Sequence, residues 1–402
     1  MSATATVVTR KPSTQQTIRR ELRKLWREPV LVLWCLFILL DPIYVVKSGL
    51  PQPADFLIIL IAPLALAKWS GRLRLSSLRV MRALLFFIGY VVLNALVWSV
   101  LAGSFTPNPK AGFLMAPVFY IFDALVFLTL LVLYERFGER FVWLTVRVAL
   151  FGVAIQVFLT FVYTRQGTLR TFGLFNSSNQ LGYYALLTGC ILLLGQRRFS
   201  LPTLYATAGQ LCCCYLALLS ASRAALFSAA ILVVVAVVNR FRTVIGIGLV
   251  AACFTFLFNP FEAAIERSRT RISTDHQLSH AQERGYDRIF QHPEHLLVGA
   301  GEGWYIRYKE TSAIGTHEIH SSAGTLLFCY GIVGFGLFLA FTWQVARGAS
   351  IRRMLLLLPP FAFGLTHQGL RFTLFWVVLA LVVMLNDIEA RAGPKRSNEG
   401  RT

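Results

Sequence analysis

Apolar runs of about 16–25 residues recur along the chain, separated by short polar connections. A helix needs about 20 such residues to cross the hydrocarbon layer of a bilayer. The runs fall at 29–47, 54–69, 80–102, 111–134, 141–163, 177–195, 201–219, 223–239, 243–258, 322–346, 354–369 and 371–386. They predict an all-α polytopic integral membrane protein with about 12 transmembrane helices. Spans one to nine occupy 29–258 and spans ten to twelve 322–386. One polar stretch is too long to be a simple turn: residues 259–321, between spans nine and ten.

The connections carry an orientation. With the N-terminus in the cytoplasm, the inside segments hold 26 of the 39 Lys and Arg residues. The short outside loops hold 6 and the long loop 7. Every inside connection then obeys the positive-inside rule, and the reversed orientation breaks it throughout. Both termini are expected in the cytoplasm, as a basic tail over 1–28 and a shorter tail over 387–402. No small-residue cleavage site follows the first apolar run, so residues 1–28 read as a tail and not as a targeting peptide. The 259–321 loop is expected outside, with short helices. Pro260 opens an acidic-then-basic stretch, Glu262 to Arg271. A second stretch, Ser279 to Gln291, places Arg284 and Arg288 four apart, hence on one helix face, and Pro293 ends it. Gly299, Gly301 and Gly303 read as a flexible turn. The loop is too small for its own core and is expected to lie across the mouth of the bundle.

Composition agrees. Hydrophobic residues make up 56% of the 402 and charged residues 14%, against about 25% charged in soluble domains. A net charge of +20 would suggest nucleic acid in a soluble protein. Here most of it sets topology, and no nucleic-acid partner is expected. The seven cysteines all lie in apolar runs, without disulfide or metal spacing.

The chemistry-bearing residues gather on one side. All seven histidines are expected outside: His276, His280, His292, His295, His317, His320 and His367. With them stand Arg170 near Asn176 and Asn179, Arg223 after Ser220 and Ser222, and the loop arginines. A loop arginine is more often a solvated or headgroup-facing charge, and a lone loop histidine more often a surface residue. Arg170 and Arg223 are better candidates, because both sit at span ends beside small or polar residues. His320 lies where the loop re-enters the membrane, in Glu318-Ile-His320-Ser-Ser-Ala-Gly324, and is a candidate base. Asp41 and Asp123 lie within spans, where acids are functional candidates by default. Asp41, before Pro42, also reads as the cap of a broken helix. No phosphate-binding glycine loop, HExxH or Cys/His metal spacing is present. Chemistry on an anionic substrate would therefore lean on arginine, with no metal and no cofactor.

Three pieces of the chain resemble the superfamily of O-antigen ligases and of O-antigen and exopolysaccharide polymerases, glycosyltransferases of the bacterial envelope. Arg170-Thr-Phe-Gly173-Leu-Phe-Asn176-Ser-Ser-Asn179 is similar to that family's Arg-x-x-Gly-x-Phe-Asn-x-x-Asn approach to a span. Ser220-Ala-Ser222-Arg223-Ala-Ala resembles its Ser-Arg-Gly/Ala element. The long outer loop ends in a histidine ahead of Gly331-Ile-Val-Gly334, and Arg284 to Arg288 with Leu297-Val-Gly299-Ala-Gly301 resembles the family's Arg-rich helix and Gly-x-Gly turn. The likeness covers residues 165–340. Where family members often have Asn after the histidine, Ser321 stands here.

The resemblance implies a metal-independent transfer of a glycan from undecaprenyl pyrophosphate to an acceptor hydroxyl on the periplasmic side of the inner membrane. His320 would be the base, with His317 as the alternative. Arg170, Arg223, Arg284 and Arg288 would bind the pyrophosphate, supported by Asn179, His317 and Glu318. The partners implied are the undecaprenyl-pyrophosphate-linked glycan, a glycan or lipid A–core acceptor, and membrane lipids. A ligase would pass the glycan to lipid A–core; a polymerase would join repeat units into O-antigen or exopolysaccharide. Protein O-glycosylation is a further subtype. A lipid-linked glycan transporter or flippase, and a non-catalytic assembly protein, are the alternatives from other classes. A transporter would keep its polar residues near the midplane in repeated halves, whereas only Asp123 is central here.

Overall fold

The computed structural model describes residues 28–46, 50–162, 172–196, 203–239, 266, 279–310, 314–315 and 317–392. Among these, every regular element is helical. In chain order the helices are α1 (Pro29–Leu40), α2 (Pro53–Ala67), α3 (Leu75–Leu101), α4 (Met115–Phe137), α5 (Glu139–Val162), α6 (Ser178–Gln196), α7 (Thr203–Ser220) and α8 (Arg223–Asn239). The second half adds α9 (His280–Glu283), α10 (Asp287–Gln291), α11 (Ser322–Ala346), α12 (Ile351–Leu355), α13 (Leu358–Gly364) and α14 (Thr373–Ala392). Five of them, α3, α4, α5, α11 and α14, are long and apolar enough to cross a membrane. The shorter apolar helices α1, α2, α7 and α8 pack with them. The fold is that of a membrane-embedded helical protein.

The burial pattern shows which helices form the interior. Sixteen of the 19 residues of α6 are buried, and Thr373–Leu385 of α14 is buried without interruption. A helix apolar on every side belongs inside a bundle, not on its rim. α14 packs against α4, α6 and α11. By contrast α3 leaves Leu85, Phe86, Leu93, Val97, Val100 and Leu101 exposed, a face suited to lipid.

The expected spans are matched in some places and reshaped in others. The first helix stops at Leu40 and not at residue 47: Asp41 is still helical (φ −50°, ψ −39°), but Pro42 has no N–H to continue the ladder, and Ile43 N–H turns back to Leu40 O at 2.8 Å. The chain then runs alongside residues 172–176. Tyr44 N–H donates to Leu174 O at 2.9 Å, and Asn176 Nδ2 to Val46 O at 2.6 Å. The expected span over 354–369 is instead the pair α12 and α13, five and seven residues long. Pro359 and Pro360 supply no N–H for a continuous helix, so a new one starts around them. At 1.5 Å per residue the pair is far shorter than the ~30 Å hydrocarbon layer. The expected ninth span, 243–258, lies outside the described residues, as do residues 1–27 of the basic N-terminal tail, Glu262 to Arg271 apart from Glu266, and residues 393–402.

α11 is not one continuous rod. Gly331 breaks it with φ 66° and ψ −172°. The break frees backbone groups on both sides, and the segment Leu296–Gly301 takes them up. Ala300 N–H and Gly301 N–H donate to Phe328 O and Cys329 O, each at 2.9 Å. Ile332 N–H donates to Leu296 O at 2.8 Å and Val333 N–H to Leu297 O at 3.2 Å. On its other side the segment lies along one stripe of α3. Tyr90 Oη and Asn94 Nδ2 donate to Val298 O at 2.7 and 2.8 Å, and Trp98 Nε1 to Gly299 O at 3.1 Å. These three side chains are four residues apart and so share a helix face. Irregular backbone against a membrane bundle is tolerated where protein groups satisfy it, and here they do so from both flanks.

The opposite end of the bundle is held by ion pairs. Arg74 pairs with Glu135 at 2.9 Å and with Asp387. Tyr134 Oη donates to Asp387 at 2.6 Å. Arg136 reaches Glu28 at 2.6 Å, and Arg353 contacts Glu389.

Candidate functional site

The candidate site lies at the end of the bundle that carries residues 279–321. Its scaffold starts from two short helices. Ser279 caps α9: its Oγ accepts from Gln282 N–H at 3.3 Å, and the Gln282 side chain accepts Ser279 N–H at 3.1 Å. The expected single helix from Ser279 to Gln291 does not continue past Glu283. Gly285 takes φ +76°, a left-handed value that suits glycine, and the chain turns before α10. Arg284 and Arg288 therefore do not share a continuous helix face, and their side chains go to different partners.

Arg284 Nη1 lies 3.0 Å from His367 Nδ1. The same Nδ1 lies 2.6 Å from Thr366 O, so the ring edge sits between a donor and an acceptor. The Arg284 carbonyl accepts the backbone N–H of His320 at 3.2 Å. One arginine thus connects two histidines from distant parts of the chain. Arg288 is fully buried. Its Nη2 donates to Gly315 O at 2.6 Å, and its guanidinium carbon lies 5.2 Å from the Tyr308 ring centre. Its Nε and Nη1 have no hydrogen-bond partner among the described residues. Loss of hydration pulls the Arg288 pKa below its ordinary value, the sign expected for a buried cation.

His320 is exposed on one side, and its ring lies 6.3 Å from that of His317. No hydrogen bond or ion pair occupies its ring nitrogens among the described residues. Desolvation lowers its pKa below the ordinary histidine value, and the positive fields of Arg284, His317 and Arg288 act in the same direction. The Glu318 carboxylate opposes them. The net result favours neutral imidazole, the form that can accept a proton.

Ser321, next in sequence, holds the junction between loop and membrane helix. Its Oγ caps α11 by accepting Gly324 N–H at 2.9 Å. The Tyr286 hydroxyl lies 2.6 Å from the same Oγ and donates to Leu365 O at 2.5 Å. His320 is thereby anchored just before the first turn of α11. Ser322 N–H donates to His367 O at 3.1 Å, which fixes the α13–α14 connection to the same point.

A second cluster sits beside this one. Glu302 is buried, and its Oε2 accepts from Tyr330 Oη at 2.7 Å and Tyr120 Oη at 3.3 Å. Arg371 pairs with Glu302 through Nη2, and with Glu318 through Nη1 at 3.0 Å. Its guanidinium carbon lies 5.1 Å from the Phe119 ring centre. Arg307 stands nearby: its guanidinium carbon is 4.7 Å from the Tyr308 ring centre and 5.0 Å from that of Trp98, with Nη2 donating to Ala300 O.

Of the residues singled out in the sequence, the structure brings together His317, Glu318, His320, Arg284, Arg288 and His367. Arg223 begins α8, which packs against α13, the helix leading to His367. Asn179 lies in the first turn of α6. Arg170 and His276 lie outside the described residues. The expected flexible turn at Gly299, Gly301 and Gly303 is instead a fixed run, with φ of +87°, +73° and +136°, packed between α3 and α11. Sequence reasoning missed Glu302, Tyr286 and Arg307 and counted Arg371 only as a loop charge. The signal for Glu302 and Arg371 was present: an acid directly after the Gly-x-Gly run and a base directly before the last apolar run. Asp41 and Asp123 are both buried, and neither is among the residues that contact His320.

Comparison with protein-family models and with curated proteins finds no match for this chain.

Proposed function

We propose that this protein is a metal-independent glycosyltransferase that moves a glycan from undecaprenyl pyrophosphate to an acceptor hydroxyl. In this reading it acts as an O-antigen ligase, with lipid A–core as acceptor, at the periplasmic face of the inner membrane. The observation that carries the reading is the juxtaposition of His320 with Arg284. An imidazole biased towards its neutral form, with no partner on its ring nitrogens among the described residues, stands against an arginine whose carbonyl accepts its backbone N–H.

The chemistry follows from these groups. The bond from the anomeric carbon to the pyrophosphate oxygen breaks, and negative charge develops on the leaving diphosphate. Guanidinium groups stabilise that charge through fixed, permanently charged donors. Arg284, Arg223 and Arg170 are the groups proposed to meet it. Arg288, with two buried nitrogens lacking partners among the described residues, would be satisfied by an oxygen of the same anion. The acceptor hydroxyl attacks the anomeric carbon as His320 takes its proton, and direct displacement inverts the configuration. Ser321 in place of the family's Asn fits this reading, because Ser and Asn are comparably good helix N-caps and Ser321 serves as one.

The test is proteoliposomes containing the purified protein, lipid-linked glycan and lipid A–core. Glycan appearing on lipid A–core supports the ligase reading. Chain growth on the lipid carrier without lipid A–core would make it a polymerase. Movement of the donor across the bilayer with no new glycosidic bond would replace the enzyme by a transporter.

A further inference from the structure

Arg371 is built as a two-armed tie. One arm is set in the bundle: Glu302, with a side chain 1% exposed, is held by Tyr120 of α4 and Tyr330 of α11. The other arm reaches Glu318 at 3.0 Å, two residues before His320, with a side chain 36% exposed. Burying a carboxylate such as Glu302 is costly unless it is paired and hydrogen-bonded. Arg371 and the two tyrosines meet that need, so the bundle-side arm is rigid. Glu318 could in principle turn from Arg371 to the imidazole two residues on. In the structure it does not, and His320 has no ion pair among the described residues.

We propose that Arg371 is a positioning residue for His320: by holding the Glu318 carboxylate on a guanidinium that Glu302 anchors to the bundle, it keeps the imidazole unpaired and available to an acceptor. This inference rests on His320 being the base of the proposed transfer. The charged and titratable groups around His320 are Glu318 on its own segment, His317 beside it, and Arg284 and Arg288 from the α9–α10 region. His367 is joined to Arg284, and Arg371 comes from the α13–α14 connection. Among the described residues that act on His320, only Glu318 is negative. Releasing it shifts His320 towards the imidazolium form, which cannot act as a base; removing it shifts His320 towards the neutral form.

The experiment measures His320 directly. The rate of diethyl pyrocarbonate modification of His320 is followed by mass spectrometry from pH 5 to 8 on the full-length protein in detergent, alongside transfer assays. In Arg371→Gln the midpoint is expected to move to higher pH, with the rate at pH 6 falling about threefold. In Glu318→Gln it is expected to move to lower pH. In the double variant Arg371→Gln, Glu318→Gln the rise should vanish, because the freed carboxylate is gone. A tie that only keeps the loop in place would instead rehydrate His320 when cut, and the rise would persist in the double variant; that result overturns the proposal. If Arg371→Gln does not fold, Glu318→Gln decides alone, and an unchanged midpoint there also overturns it. Midpoints that move as expected in a protein showing no glycan transfer would uphold the tie and refute the transferase reading separately.

Discussion

Gly299 and Gly331 lie backbone to backbone. A methyl group on Gly299 would stand 2.2 Å from Cys329 O and 2.4 Å from Tyr330 Cα. One on Gly331 would stand 2.4 Å from Leu297 O and 2.6 Å from Gly299 N. Both glycines have φ in the left-handed region, +87° and +66°. The obstructing atoms are main chain and cannot rotate away. Gly299→Ala and Gly331→Ala should each cost about 3 kcal/mol or more, since overlap and left-handed strain add. Thermal unfolding in detergent should show both variants melting well below the parent. Gly336→Ala is the control: a Cβ there meets nothing within 4 Å, and its melting temperature should hold.

That pair also marks what the sequence could and could not reveal. The helical class was legible, because hydrophobic run length is a local signal. The broken α11 was not. Ser322–Ala346 reads as an uninterrupted apolar run, and only the partner segment shows why Gly331 leaves the helix. The 354–369 run misled for a related reason. Its apolarity is real, but Pro359 and Pro360 divide it, and backbone chemistry outweighs hydropathy there. Arg371 and Glu302 are 69 positions apart, and no periodicity joins them.

The His320 backbone N–H bonds Arg284 O while its side chain is exposed, so the side chain carries little of the fold. His320→Ala should lower transfer by about 10²–10⁴-fold, the usual range for a lost general base. Its melting temperature should stay near that of the parent. Equal loss of both activity and folded protein would count against a role in the chemistry.

The pH profile follows from the lowered His320 pKa. A base works while unprotonated, so activity should hold as pH falls to the ordinary histidine value, about 6.5. It should then decline as pH passes below it through the lowered value. Initial rates across pH 5–8 at saturating donor would show this. An acid limb centred above the ordinary histidine value would contradict the desolvated, cation-flanked environment derived for the ring.

Arg284 and Arg288 should separate a binding role from a structural one. The Arg284 side chain meets His367 at a partly exposed position, whereas Arg288 is fully buried and holds Gly315 O. Arg284→Ala should weaken use of the lipid-linked donor, seen as a raised KM, with modest loss of stability. Arg288→Ala removes a buried cation that packs on Tyr308 and leaves a backbone carbonyl without its donor. That should destabilise the protein by about 2–4 kcal/mol through cavity formation and the unmade hydrogen bond. Arg288→Lys retains charge but not the planar fork, and lysine cannot reproduce both the carbonyl bond and a second donor aimed elsewhere. If the spare nitrogens of Arg288 serve the diphosphate, Arg288→Lys should fold and melt near the parent yet lose donor affinity about tenfold or more. If they serve only packing, KM should be unchanged wherever the variant folds. Isothermal titration with an undecaprenyl diphosphate analogue, run beside thermal melts of both variants, reads the two effects independently.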